Sequence, residues 1–330
     1  MKVLTIAVPC YNVEKYLSKA LESMAIPALN EKLQVVIVND GSADNTAEIA
    51  KHFCDMHPSI FQLVNKENGG HGSAVNAGLS CAEGKYFKVL DGDDWLDKEA
   101  LSKLIDYLEN SNDDAVLTNY RHVNMESDET EDICFTGVTT QYSYSMKDIL
   151  NMKKINFCMA ALNYRTQLLI DQKVLLQEKT FYVDEEFVTM PLAYIQTVSF
   201  VDMVLYHYLI GNQSQSIAIS NQIKNMPDKL KVAKRLVAFI ENTEMNLDNK
   251  KCCYKKVYGI LTSIYLISLI YNANLKLGRD ISKEFFSYVK VTSRKFHSDT
   301  RLKYYLFWFL SYLPCKKSIY EFIKKIKSGG

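Results

Sequence analysis

Through the first 120 residues, short apolar runs alternate with stretches of helical periodicity, and this alternation admits few architectures. Residues 3–8, 33–39, 60–64, 86–90 and 115–118 read as buried strands. Residues 13–24, 45–56, 72–81 and 98–109 read as amphipathic helices between them, with Ser42 or Asp44 placed to cap the second. Strand and helix in alternation predict an α/β fold, a Rossmann-like and mostly parallel sheet with helices on both faces. Sheets of this kind bind ligands beyond the carboxyl ends of their strands, so the residues just after each strand carry the functional information.

Three strand ends hold unusual clusters: Pro9-Cys10-Tyr11-Asn12, Asn39-Asp40-Gly41-Ser42 and Asp91-Gly92-Asp93-Asp94. They bring four carboxylates to one edge. Carboxylates gathered in this way repel unless a cation or hydrogen-bond donors compensate, and a hard ion such as Mg2+ or Mn2+ suits oxygen ligands. Taken alone, the Asp91–Asp94 run is equally a surface turn, and Asp40-Gly41-Ser42 is a turn leading into a helix. The loop Asn68-Gly69-Gly70-His71-Gly72-Ser73 has enough glycine for close backbone approach to a ligand, at a helix N-terminus that favours anions. It matches neither a Walker nor a GxGxxG pattern. His71 reads as a loop histidine with local hydrogen bonds and is not assigned to catalysis.

These segments together resemble the inverting glycosyltransferase family 2, which has the GT-A fold. The resemblance rests on Val8-Pro9-Cys10-Tyr11-Asn12, Val38-Asn39-Asp40-Gly41-Ser42, Asn68-Gly69-Gly70 through Asn76-Ala77-Gly78, Gly84-Lys85-Tyr86 and Leu90-Asp91-Gly92-Asp93-Asp94. It is specific over residues 1–120, weaker to about 217 and absent beyond. It implies a metal-dependent hexosyltransferase that moves a sugar from a UDP-sugar to a glycan, lipid-linked or glycoprotein hydroxyl. Pro9, Tyr11, Asn12, Asp40, Asn68, Gly69, Asn76, Asp91, Gly92 and Asp93 would contact the nucleotide sugar, with Asp40 accepting from a uracil ring. Asp91 and Asp93 would form the family's DxD element; Asp93, Asp94 and His207 would meet Mn2+ or Mg2+, His207 between two tyrosines being equally readable as a packed structural residue.

Inversion also needs a base to take the acceptor's hydroxyl proton. The segment Phe181-Tyr182-Val183-Asp184-Glu185-Glu186 resembles the family's Glu-Asp element, which makes Asp184 the base. Val183 stands where the family has Glu, so Glu185 and Glu186 remain alternatives, as does an acidic helix start that only favours the macrodipole. Leu205-Tyr206-His207-Tyr208 and Ser214-Gln215-Ser216 resemble the family's Tyr-rich strand and the loop after it. Trp95 is either an acceptor floor or core.

A nucleotidylyltransferase would place a glycine-rich Arg/Lys signature where Cys10-Tyr11-Asn12 stands, and a non-catalytic sugar-nucleotide-binding subunit would be expected to lose its acidic site or its base. Both alternatives are therefore weaker than transfer.

The net charge of +1 hides an asymmetry. Residues 1–223 hold 17 Lys and Arg against 30 Asp and Glu, a net of −13, whereas residues 224–330 hold 22 against 8, a net of +14. The expected division is therefore a catalytic GT-A domain over 1–223 and a basic, mostly helical region over 224–330. The aromatic run 304–310 with Lys316, Lys317, Lys324, Lys325 and Lys327 suits a segment lying on an anionic membrane, or alternatively one packed on protein. Eight cysteines without a CxxC pair read as reduced thiols, and the expected location is cytoplasmic or on the inner face of the cell membrane. Residues 257–271 and 304–313 are too short to predict a membrane span. No nucleic-acid partner is expected, and a homo-oligomer stays open.

Overall fold

The computed structural model of the protein describes residues 2–152, 155–211 and 218–321. In chain order the N-terminal elements are β1 (Leu4–Cys10), α1 (Glu14–Glu22), β2 (Leu33–Asn39), α2 (Thr46–Met56), β3 (Phe61–Asn65), α3 (His71–Ser80), β4 (Tyr86–Val89), β5 (Trp95–Leu96) and α4 (Lys98–Asn110). There follow β6 (Ala115–Asn124), β7 (Thr130–Ile133), β8 (Tyr144–Ser145), α5 (Met146–Asn151), β9 (Leu162–Arg165), α6 (Thr166–Asp171), α7 (Asp184–Thr189) and β10 (Thr197–Ile210). Beyond them lie α8 (Ile219–Lys224), α9 (Met226–Asn242), α10 (Leu247–Leu266), α11 (Leu275–Thr292) and α12 (Arg294–Leu310).

The strands form one mixed sheet in the order β3-β2-β1-β4-β9-β6-β10-β5, with β7 on β6 and β8 on β10. Strands β1 to β4 are mutually parallel, and β10 runs parallel to β6. Between β4 and β6 the antiparallel strand β9 is inserted, bonded to both. Fully buried, near-continuous apolar runs such as Leu-Gln-Val-Val-Ile-Val-Asn in β2 form because helices cover both faces.

The helix starts have visible causes. Asp44 accepts from the Thr46 amide (3.0 Å) and the Glu14 amide (3.1 Å), so one carboxylate caps α2 and braces the start of α1. Asp97 caps α4 through Ala100 N at 2.8 Å, and Ser145 with Asp148 forms a capping box on α5. Gly78 lets α3 lie directly on β1, since a Cβ there would come within 2.5 Å of Ala7 Cβ.

The polar stretch 124–145 contains β7 and β8, which pair antiparallel with β6 and β10. The chain divides into compact units Met1–Asn212 and Gln213–Gly330. This division falls before the expected 223/224 because α8 packs against the turn at 267–271, inside the second unit. Residues 213–223 carry no charge, so the −13 and +14 balances belong to these units unchanged.

Among its described residues, the second unit holds helices and no strand. Its core holds Leu236, Val237, Leu261, Ile264, Tyr265, Phe285, Val289 and Phe296, and Tyr304 stacks face to face on Phe286 at 3.9 Å. One helix, Leu247–Tyr271, is long and apolar enough to cross a membrane by length and composition, contrary to the reading that no segment is; 56% of its apolar window is buried within the fold.

Candidate active site

The site is assembled at the carboxyl ends of β1, β2 and β4. Pro9 lies inside β1 opposite Val38, and Tyr11 emerges from the strand end 54% exposed. Asn12 adopts a positive φ of 53° and clasps the β2–α2 loop: its side-chain oxygen accepts from Ala43 N (2.8 Å) and its amide donates to Ser42 Oγ (3.1 Å).

Asp40 is buried and holds the glycine loop. One oxygen accepts from Lys66 Nζ (2.7 Å) and Gly69 N (2.9 Å), and the other from Gly70 N (2.7 Å). A carboxylate has about four lone-pair positions, so a single further donor can be received. Asn68 donates to the Asp40 carbonyl at 3.0 Å, and Gly69 O accepts from Lys179 N at 2.5 Å. Gly70 sits at φ 81°, the left-handed region, where the loop turns into α3. Asn76 does not face this opening. Its amide group donates to Leu176 O and accepts from Leu176 N, both at 2.9 Å, so it bolts α3 to the segment before α7.

The acidic loop after β4 is held from two sides. Gly92 packs on the end of β1, where a Cβ would meet Pro9 O at 3.2 Å and Val13 Cγ2 at 3.1 Å. Asp94 is 1% exposed and has both oxygens engaged, one by the Tyr206 hydroxyl (2.5 Å) and one by Leu209 N (2.7 Å). Tyr206 in turn accepts from Asp91 N at 3.2 Å. Burial, with Asp91 and Asp93 adding like charge, pushes Asp94 up to about 9 and Asp93, by burial and then Asp91, up to about 6. Asp91 and Asp93 are therefore the carboxylates with most freedom to meet a cation, while Asp94 is chiefly a brace between the acidic loop and β10. Among the described residues, no three His, Cys, Asp or Glu side chains are already grouped as a metal cage. The negative charge of Asp91, which adds to burial in raising Asp93, is nonetheless what a hard divalent ion would offset.

His207 is placed elsewhere. Side chains alternate along a strand, and with Tyr206 directed to Asp94, His207 points to the opposite face. There it pairs in register with Trp95 and stacks on its ring at 5.3 Å. Burial and then Arg121 hold its pKa below the ordinary value. It does not join Asp93 and Asp94, which corrects its assignment as a metal ligand. Lys19 Nζ lies 3.0 Å from the Trp95 ring centroid, so the indole is a partner in a Lys–Trp–His stack.

His71, left outside the sequence assignment, is in the site. As the first residue of α3 it is a third exposed, and its Nε2 lies 2.9 Å from Asp91 Oδ1. Burial pulls its pKa down, but the Asp91 hydrogen bond and the charges of Asp91, Asp184 and Asp93 outweigh that and raise it. Tyr208 is the second omission: burial raises its phenol, followed by Asp91, Asp94, Asp184 and Asp93. Asp184, exposed at the start of α7, thus acts on the same two groups as the acidic loop. Glu186, by contrast, is fully buried and accepts from Gln177 N (2.9 Å) and Gln177 Nε2 (2.5 Å), which removes it as an alternative base. Ser214, Gln215 and Ser216 lie outside the described residues.

Residues 5–166 match the family model described as glycosyl transferase family 2, and the domain they form belongs to that family. Putative glycosyltransferase EpsH of Bacillus subtilis is 27% identical over 63% of this chain and 60% of its own length. Glycosyltransferase GlyA of Streptococcus pneumoniae is 36% identical over 37% of this chain, which spans 17% of that larger protein. Among solved structures, S. aureus TarS residues 1–349 in complex with UDP superposes with a TM-score of 0.69 at 19% identity, covering 97% of this chain and 91% of that one. The mannosyltransferase PcManGT of Pyrobaculum calidifontis, in complex with GDP-Man and Mn2+, gives a TM-score of 0.53 at 14% identity, covering 96% and 86%. At these identities the likeness is one of fold: a GT-A sheet followed by a helical C-terminal region.

Proposed function

We propose that the protein is an inverting glycosyltransferase that moves a hexose or N-acetylhexosamine from a UDP-sugar to a hydroxyl of a glycan, lipid-linked or glycoprotein acceptor. The observation that carries this reading is the acidic loop after β4, where Asp91 meets His71 Nε2 at 2.9 Å beside Asp93, with the Asp184 charge also acting on His71 and Tyr208. The domain's family and the crystallisation of TarS with UDP and with UDP-GlcNAc support the choice of donor.

In this reading Tyr11 and the Asp40-anchored glycine loop receive the nucleoside, Asp40 having room for one more donor. Asp91 and Asp93 would hold Mn2+ or Mg2+, which supplies charge neutralisation of the departing diphosphate. Asp184 removes the proton from the acceptor hydroxyl as that oxygen attacks the anomeric carbon. The bond to the diphosphate oxygen breaks on the opposite face, inverting the centre, and the proton ends on the Asp184 carboxylate. His71 keeps Asp91 oriented and offsets negative charge beside it.

The test is Asp184→Asn, measured by transfer from UDP-sugars and by UDP affinity. Transfer should fall by about 100-fold or more with UDP affinity nearly unchanged, because an amide cannot take the proton. Near-normal turnover in that variant together with loss in Glu185→Gln would move the base to Glu185.

A further inference from the structure

Helix α12 separates the aromatic run of the sequence into two faces. Tyr304, Phe307 and Leu310 point into the helical core, where Tyr304 stacks on Phe286. Leu302, Tyr305, Leu306, Phe309 and Tyr312 recur at spacings of three and four and remain on the outside, Leu302 81% and Phe309 65% exposed. Four large apolar side chains on one helical stripe, with Tyr312 just past the helix end, form a patch unlike the scattered apolar residues normal on protein surfaces.

The rim of the stripe is cationic. Arg294, Lys295 and Arg301 on α12 are exposed at its end and flank, Lys303 lies over the Tyr258 ring, and Arg279 from α11 lies over Tyr312. Asp299 is the one acidic residue of α12, and its carboxylate is engaged by Tyr254 and Lys295. The unit as a whole carries +14. An apolar stripe with aromatic rings at its edge and Arg and Lys beside it matches the boundary between acyl chains and anionic headgroups. A second copy would bring the same +14 unit against itself, which opposes self-association through this face.

We propose that the outer face of α12 docks the protein on the surface of an anionic lipid bilayer, with Leu302, Tyr305 and Phe309 entering the headgroup region and Arg294, Arg301 and Lys303 meeting lipid phosphates. Lys316 takes no part. Its ammonium is buried and donates to the carbonyls of Leu269 (2.9 Å) and Asn272 (3.3 Å), which makes it a structural tie; Lys324, Lys325 and Lys327 lie outside the described residues.

The experiment uses the full chain, sedimented with vesicles of phosphatidylcholine alone or mixed with phosphatidylglycerol. Two variants are compared: Leu302→Ser/Tyr305→Ser/Phe309→Ser, and Arg294→Gln/Arg301→Gln/Lys303→Gln. Wild type should bind mixed vesicles at least ten-fold more tightly than neutral ones and lose that preference in high salt. Each variant should bind mixed vesicles at least ten-fold more weakly, with an unchanged thermal transition and unchanged UDP affinity. The charge variant keeps the apolar face, so it decides the matter even if the apolar triple fails to fold. No binding of wild type, binding retained by the charge variant, or a wild-type dimer that the apolar triple dissociates would overturn the proposal.

Discussion

At the scale of single residues, the site is a set of carboxylates separated by what each already bonds to. Asp40, Asp94 and Glu186 accept two or more internal donors each, whereas the Asp91 carboxylate meets His71 Nε2. His71 thereby becomes the residue on which the orientation of Asp91 depends. Replacing His71 by Ala removes a hydrogen bond to a charged group, an interaction worth about 1.5–3 kcal/mol, so transfer should fall by about ten-fold or more. His71→Gln, whose amide can still donate to Asp91, should recover most of the loss. Steady-state kinetics on both variants checks this, and wild-type kinetics in His71→Ala would remove the role. Tyr206→Phe strips Asp94 of a buried donor and should cost about 1–3 kcal/mol of stability by urea unfolding, since the carboxylate oxygen then has no replacement. An unchanged midpoint would mean that the bond is not formed in solution.

At the scale of elements, the distinctive step is the insertion of β9 between β4 and β6, and Lys88 holds it there. Its amino group is fully buried in β4, donates to the carbonyls of Ala160 (2.7 Å) and Leu162 (3.4 Å), and lies over the Tyr206 ring at 5.2 Å. Burial pushes Lys88 down to about 7. Between pH 7 and its ordinary value near 10.5 the unfolded chain therefore holds a proton that the folded chain lacks, and stability rises with pH across that window. Wild type should gain on Lys88→Met between pH 7 and 9.5 in urea unfolding; parallel curves would contradict the buried neutral amine. None of this was legible beforehand, because a Lys in Tyr-Phe-Lys-Val gives no periodic signal and β9 is set by its neighbours. The strands β1 to β4 and helices α1 to α4 were legible because short apolar runs and helical periodicity alternate there. The face of His207 could have been read from the alternation of Tyr206, His207 and Tyr208, had Tyr206 been recognised as the residue turned to the acidic loop. Asn76 could not, since its partner Leu176 lies 100 residues away.

At the scale of the whole molecule, the proposed reaction requires a unit of net −13 to receive a nucleotide diphosphate that is itself an anion. Of the cationic groups at these strand ends, Lys66 is already paired with Asp40 and His71 with Asp91. Neither offsets both a diphosphate and the burial and neighbouring Asp91 charge that lift Asp93 to about 6. A divalent ion held by Asp91 and Asp93 would do so, and binding would then couple donor and metal: each lowers the other's cost of approach. UDP at about 100 times its dissociation constant stabilises a folded protein by about 2.7 kcal/mol. Scanning calorimetry of the full chain should therefore show a shift of several degrees with UDP and Mn2+ together, and almost none with either alone or with EDTA. Asp93→Asn should abolish the coupled shift, because it removes a charged oxygen ligand without altering size. The +14 unit supplies a control for bulk electrostatics, since added salt should weaken vesicle docking far more than the UDP–Mn2+ shift, the metal contact being short-range and partly buried. An equal shift from UDP in EDTA would show that protein donors alone receive the diphosphate, and the acidic loop would then have to act through the acceptor or the sugar.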